Sequence, residues 1–185
     1  MELFISDAQP EDTLSLALEL FSNYVRAPQR NIVQVTKLSP GTLSALQIEQ
    51  VPLLVRTASE KLEDGSVEAR EVRLTNPFTI MLEIARAAYL EDILFAKADS
   101  VARNEIGQYV ETVGRLAGRE LAEQINKHME VRMFLVGESI TAADLVIFSA
   151  LAPLFSGELQ GFEKFALPHA FRWIDHVQHL PGLLE

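Results

Sequence analysis

The end of the chain carries the densest group of side chains that could do chemistry. Four polar residues there fall at spacings that put them on one side of a predicted helix: Arg172, Asp175, His176 and His179. Two histidines three residues apart are a weak signal for a metal site, and no acidic run or third ligand accompanies them. The spacing alone therefore predicts a solvated polar stripe and no metal site.

Other nucleophiles and cofactor-binding motifs are scarce. The chain has no cysteine, which excludes disulfides, cysteine-ligated metals and thiol catalysis. Ser6 follows the first predicted strand, but no sequence signal supplies it with a base. The nine glycines are scattered and form no phosphate-binding loop. We therefore predict no catalytic residue and no cofactor.

The most apolar helix begins with a threonine and a carboxylate. Thr141 is predicted to be its N-cap, and Asp144 stands three residues later, as in a shorter-armed capping box. The segment behind them is apolar on nearly every side, so this helix must be central and buried. A carboxylate at this position could also be read as a catalytic acid. However, the first backbone N–H groups of every helix lack intrahelical acceptors, and a capping side chain supplies one. We therefore interpret Asp144 as structural.

Composition and charge exclude several classes of function. The 185 residues are 48% hydrophobic and 23% charged, which predicts one large domain, or two small halves, with a proper core. The formal net charge of −10 argues against the clustered cations that hold nucleic acid. The first residues contain no basic region and no long apolar run. We predict neither a signal peptide nor a membrane span, and a cytoplasmic location.

The spacing of apolar residues divides the chain into two parts. The first half is predicted to contain strands at 3–5, 31–36, 52–55 and 67–74 and helices at 10–27 and 77–88. Beyond residue 89 the pattern is purely helical, in segments near 91–97, 100–115, 118–132, 141–155 and 169–179. We therefore predict a mixed α/β subdomain at 1–88 and an all-helical subdomain at 89–185.

Together these pieces resemble the glutathione-transferase fold. Val51-Pro52-Leu53 resembles the step into the third strand of that fold, where the family's proline is cis. Residues 134–145 resemble the folding box of its helical half. The resemblance implies an α+β fold, with a thioredoxin-like N-terminal half and an all-helical C-terminal half. It implies structural roles for four residues: Pro52, Thr141, Asp144 and Trp173.

The ending narrows the resemblance to one branch of the family. Residues 169–181, with Arg172-Trp173 at their centre, are similar to the ending of the non-catalytic transferase-like domains of aminoacyl-tRNA synthetases and their auxiliary proteins. Residues 108–111, Gln-Tyr-Val-Glu, resemble that branch's Gln-Trp-Leu-Glu, with Tyr109 in place of tryptophan. An elongation factor 1 gamma-type scaffold is a neighbouring alternative, and an active glutathione transferase is a second one.

The residues that bind glutathione in catalytic transferases are replaced in this chain. The family carries Glu-Ser-x-Ala-Ile after the fourth strand, where this chain has residues 76–80, Asn-Pro-Phe-Thr-Ile. Pro77 stands at the serine position and offers neither a hydroxyl nor a backbone N–H. No tyrosine or cysteine follows the first strand. The resemblance therefore implies a protein-interaction domain without transferase activity.

The branch implies two surfaces for docking other transferase-like domains of synthetases or their auxiliary proteins, as a homo- or heterodimer. One is the polar stripe of the last helix, where Arg172 is expected to pair with an acid of the partner. The other is the usual transferase dimer face, expected at Glu83, Arg86, Tyr89 and Tyr109. Relatives hold tRNA through other regions, so we expect this chain to be the N-terminal domain of a longer tRNA-binding protein.

Overall fold

The computed structural model describes residues 1–6, 13–26, 32–46, 48, 50–61, 66–113, 115–116, 118–158 and 165–180. The N-terminal half contains β1 (Glu2–Ser6), α1 (Thr13–Arg26), β2 (Gln34–Leu38), α2 (Pro40–Ala45), β3 (Leu53–Lys61), β4 (Val67–Leu74) and α3 (Pro77–Ala87). The C-terminal half contains α4 (Glu91–Leu94), α5 (Ser100–Val113), α6 (Gly118–His128), α7 (Ala142–Pro153), a π-helical turn (Leu154–Glu158) and α8 (Pro168–Gln178). The predicted fold class is confirmed.

The four strands form one mixed sheet in the order β2–β1–β3–β4. β1 pairs with β2 in parallel across α1, and β3 is antiparallel to both β1 and β4. A β-α-β unit followed by a hairpin and a helix is the thioredoxin-like arrangement implied by the resemblance. The Val51–Pro52 peptide bond at the entry to β3 is cis, as that resemblance also implied, and Pro52 is buried.

The first half follows the apolar pattern with three differences. The strand predicted at 52–55 is much longer than expected and extends over Leu53–Lys61. Leu18, Phe21 and Val25 of the predicted stripe are fully buried on α1. The second strand lies a few residues later than predicted, at Gln34–Leu38. The short helix α2 was missed, although Ser39 accepts a hydrogen bond from the backbone of Thr42 as its N-cap. The predicted helix start at residue 10, its end before residue 28 and the turn at 64–65 lie outside the described residues.

Helix α7 lies at the centre of the second half, as predicted. Nine of its residues are buried: Ala142, Ala143, Asp144, Leu145, Val146, Ile147, Phe148, Ser149 and Leu151. It packs against α1, α5, α6 and α8, so its contact with α1 joins the helical half to the thioredoxin-like half. The helices predicted at 91–97 and 118–132 are shorter than expected and end at Leu94 and His128. The predicted division at 88/89 falls in the turn after α3 and stays a prediction.

Candidate partner-docking surface

The last helix, α8, is fixed to the end of α6 by polar side chains at two points. Asn126 of α6 accepts hydrogen bonds from the backbone N–H groups of His169 and Ala170, at 2.9 and 3.1 Å, which caps the start of α8. One turn later, Arg172 Nη2 donates to the carbonyl of Met129 at 2.7 Å and to that of Arg132 at 3.1 Å. Arg172 therefore also holds the turn that follows α6.

The predicted polar stripe divides into an inner and an outer pair. Arg172 and His176 contact neighbouring parts of the chain: the His176 ring meets Phe134 edge-on, with ring centres 5.5 Å apart. His176 Nε2 is buried and has no hydrogen-bond partner among the described residues. Asp175 and His179 are exposed. His179 Nδ1 lies 2.6 Å from the Asp175 carbonyl, and Gln178 donates to the Asp175 carboxylate at 2.8 Å.

A surface pocket lies beside Arg172 and His176. Its volume is about 380 Å³, and its lining comprises Glu130, Val131, Arg132, Met133, Arg172, Trp173 and His176. The Val131 side chain is 90% exposed and that of Met133 is 65% exposed. We call Val131, Met133, Arg172, Asp175, His176 and His179 the docking surface. It combines exposed apolar side chains with an arginine, a composition typical of protein contacts.

Sequence reasoning missed Val131 and Met133. The prediction extended the preceding helix to residue 132, which left no reason to ask whether these two side chains face solvent. The available signal was local: two apolar residues alternate with Glu130 and Arg132 directly after a helical stripe that ends at Met129. Such a pair belongs to no helix face, and its exposure could have been suspected on that ground.

Three of the four residues predicted to be structural, Thr141, Asp144 and Trp173, form a buried polar cluster behind the docking surface. Asp144 is completely buried and accepts four hydrogen bonds. Its Oδ1 binds the Leu135 N–H at 2.9 Å and the Trp173 indole N–H at 3.1 Å. Its Oδ2 binds the N–H and the hydroxyl of Thr141, both at 3.0 Å. Burial raises the pKa of the Asp144 carboxyl, and these four donors oppose the rise. Asp144 thereby ties α7, the loop before it and α8 together.

The second predicted face contains a chain of ion pairs. Glu83 lies 3.3 Å from Arg56 of β3 and 3.0 Å from Arg86. Arg86 also forms an ion pair with Glu91 at 3.1 Å, and Glu91 forms a second ion pair with Arg103 of α5 at 2.6 Å. The hydrogen bond from Arg86 is the largest cause of a lowered Glu91 pKa. Glu83 and Arg86 therefore connect β3, α3, α4 and α5 within one chain.

The two predicted tyrosines of that face lie in different surroundings. Tyr89 is 86% exposed in the turn after α3, at a φ of 60°. Tyr109 is half-buried, and its hydroxyl lies 3.1 Å from His128 Nε2 of α6. Desolvation, followed by the charge of Glu105, raises the Tyr109 pKa to about 12. Tyr109 thus packs against α6 within the helical half, and of these two tyrosines it is Tyr89 that is exposed to a partner.

A cavity of about 670 Å³ lies between the halves and includes Asn76 and Pro77. Its lining comprises Leu14, Asn76, Pro77, Phe78, Asn104, Gly107, Gln108, Val110, Glu111 and Arg115. The Asn76 side chain caps α3, accepting from the N–H and hydroxyl of Thr79 at 3.0 and 3.1 Å. Pro77 is the first residue of the helix and has no N–H to donate. Pro77 therefore offers neither a hydroxyl nor a backbone N–H to a ligand in this cavity.

No group of three or more His, Cys, Asp or Glu side chains that could hold a metal ion occurs among the described residues. In the same part of the chain, none of the helices has the length and apolarity needed to cross a membrane.

Comparison with known proteins places the chain in a structural class. The solved structure of a possible glutathione S-transferase from Rhodopseudomonas palustris is similar with a TM-score of 0.66 at 14% identity, covering 99% of this chain and 95% of that one. The GST-like domain of elongation factor 1-gamma from Saccharomyces cerevisiae is similar with a TM-score of 0.64 at 15% identity, covering 98% and 90%. The fold is that of a glutathione-transferase-like domain.

Sequence similarity points to the same branch that the resemblance suggested. The family model of the nuclear-export cofactor Arc1p matches residues 103–181. Eukaryotic translation elongation factor 1 epsilon-1 of Mus musculus is 28% identical over 157 residues, which cover 80% of this chain and 82% of that protein. The human protein of the same name is 28% identical over 120 residues, covering 60% and 67%. These similarities confirm the predicted resemblance to the transferase-like domains of the branch associated with synthetases and translation.

Proposed function

We propose that this chain is a non-catalytic scaffold domain of a translation-associated assembly. It docks other transferase-like domains, of aminoacyl-tRNA synthetases or their auxiliary proteins, through the docking surface on α8 and the turn after α6. The observation that carries the proposal is the exposure of Val131 and Met133 directly beside Arg172. The cytoplasm, where translation takes place, is the location that follows from this role.

The chemistry of the docking surface suits a protein partner. Two apolar side chains provide area that gains from being removed from water. Both hydrogen bonds of Arg172 to the described residues use Nη2, so Nε and Nη1 each keep an N–H that can donate to a carboxylate oxygen of the partner. Its contacts to the carbonyls of Met129 and Arg132 hold the guanidinium in place before binding, which lowers the entropic cost of association.

The cavity between the halves supports the non-catalytic part of the proposal. A site built to pair the charges of glutathione loses heavily when its donors are missing. Here the serine position is Pro77, and the amide oxygen of Asn76 is used as an acceptor in helix capping. An assay with glutathione and a chlorodinitrobenzene-type substrate should therefore show no turnover above the uncatalysed rate. Measurable turnover would favour the alternative, an active transferase.

Any connection with tRNA is proposed to lie outside this chain. At a formal net charge of −10 the domain repels a polyanion. We propose that tRNA is held by other regions of a longer protein or by the partner synthetase. Nanomolar tRNA binding by this chain alone, at physiological salt, would contradict that assignment.

The docking surface is tested by capture from an extract of the cells that make the protein. Wild type should retain proteins with transferase-like domains, and a variant carrying Val131→Asp and Met133→Asp should not. Val101→Asp is the matched control, because Val101 is 74% exposed on α5, outside the docking surface. Equal capture by the double variant and wild type would contradict the proposed surface. Loss with Val101→Asp instead would assign docking to the other face.

A further inference from the structure

The β3–β4 hairpin leaves one strand edge open. Within the described residues, β4 pairs with β3 alone and lies at the end of the sheet. It is eight residues long and mostly exposed, with Val67 at 67%. An edge strand presents unpaired backbone N–H and C=O groups, so it can accept another strand. The side chains of β4 determine which strand it can accept.

The side chains of β4 are complementary to a second copy of themselves. When two identical strands pair antiparallel about a two-fold axis perpendicular to the sheet, the residue on the axis faces its own copy. With Val72 on the axis, the two valines face each other and Glu71 lies opposite Arg73 of the second copy. With the axis at Arg70 or Glu71, two like charges would face each other. With the axis at Ala69, Glu68 would lie opposite Arg70, but two alanines would meet on the axis, and they bury less apolar surface than two valines. The sequence of β4 therefore favours the pairing centred on Val72.

The charges needed for this contact already lie side by side. Within one chain, Arg73 Nε is 2.6 Å from Glu71 Oε1, and the two side chains are 67% and 56% exposed. A second copy presents the same pair in the opposite order, so four charges alternate in sign around the axis. Opposite charges directly across neighbouring strands stabilise a sheet, and like charges destabilise it. Val72, half-buried on the opposite side of the strand, adds an apolar contact.

We propose that β4 is a self-association edge: β4 of a second copy of this chain pairs with it antiparallel, with Val72 on the two-fold axis. The contact joins two four-stranded sheets into one continuous sheet. The contact uses no residue of the docking surface, so its test is independent of the test of the proposed function. A chain with both contacts brings two docking surfaces into one particle.

Cysteine crosslinking tests the pairing directly, because the chain contains no cysteine of its own. Val72→Cys places two thiols opposite each other on the axis and should give a disulfide-linked dimer under mild oxidation. Ala69→Cys and Arg70→Cys, on the same strand, are the matched controls and should crosslink much less. Equal crosslinking at all three positions, or preferential crosslinking at Ala69→Cys or Arg70→Cys, would overturn the proposed pairing.

A charge swap tests the same contact without crosslinking. In a Val131→Asp background, which weakens the docking surface, sedimentation should still show a reversible dimer. Arg73→Glu turns two attractive pairs into two repulsive ones and should weaken this dimer by roughly tenfold. The double variant Glu71→Arg with Arg73→Glu restores opposite charges and should restore the dimer. A monomer at all concentrations, or a double variant as weak as Arg73→Glu, would refute the proposal.

Discussion

Replacing Asp144 tests the most detailed part of the structure. The carboxylate is fully buried and accepts from the Leu135 N–H, from the N–H and hydroxyl of Thr141, and from the Trp173 indole. In Asp144→Ala, three N–H groups lose their acceptor, each at about 1–3 kcal/mol, whereas the Thr141 hydroxyl can rotate toward another acceptor. The losses are not additive, because water can enter the space that the carboxylate leaves. We expect a decrease in the free energy of unfolding of about 3–5 kcal/mol.

Asp144→Asn keeps the prediction measurable if the alanine variant does not fold. Its amide oxygen can still accept from Leu135 and Trp173, but its NH₂ group faces the Thr141 N–H, which loses its acceptor. This variant should therefore lose about 1–3 kcal/mol, less than the alanine variant. Urea unfolding followed by fluorescence is the assay, since Trp173 is the single tryptophan and lies in the cluster. Both variants within about 0.5 kcal/mol of wild type would refute the assigned role.

Three further predictions follow from the polar contacts. Because its ion pairs lower the Glu91 pKa, their contribution to stability is present above the unfolded pKa and is lost as the pH falls through the folded value. Unfolding free energies of Glu91→Gln should therefore fall less than those of wild type on acidification below about pH 4.5, and parallel acid profiles would contradict this. Arg172→Ala removes two hydrogen bonds to carbonyls and should cost about 1–2 kcal/mol in urea unfolding, with weaker partner capture; unchanged values would count against it. The Tyr109 phenol should ionise near pH 12 in an absorbance titration, and loss of its signal in Tyr109→Phe identifies it; ionisation near pH 10 would disagree with its burial.

The elements that local rules control were predictable from the sequence. The capping residues Thr141 and Asp144 satisfy a need of every helix start, so their spacing was sufficient to assign them. The all-apolar pattern behind them correctly predicted the buried central helix α7. The cis bond before Pro52 came from the family resemblance, since no local rule requires it.

The features that depend on packing between elements were not predictable. Helical spacing placed Arg172 and His176 with Asp175 and His179, but it could not show that the first two face the turn after α6. The same spacing grouped Tyr109 with a surface, whereas tertiary contact with His128 half-buries it. The exposure of Val131 and Met133 depends on where α6 ends, and helix ends are the least certain part of a sequence-based prediction.

The central claim is that a partner occupies the docking surface while the cavity between the halves stays unused. Hydrogen–deuterium exchange on this chain, free and in its captured complex, measures both at once. The account predicts slower exchange at residues 129–133 and 168–179 in the complex, with no change at residues 76–80 and 104–111. Protection confined to residues 76–80 and 104–111, with unchanged exchange at residues 129–133, would contradict it.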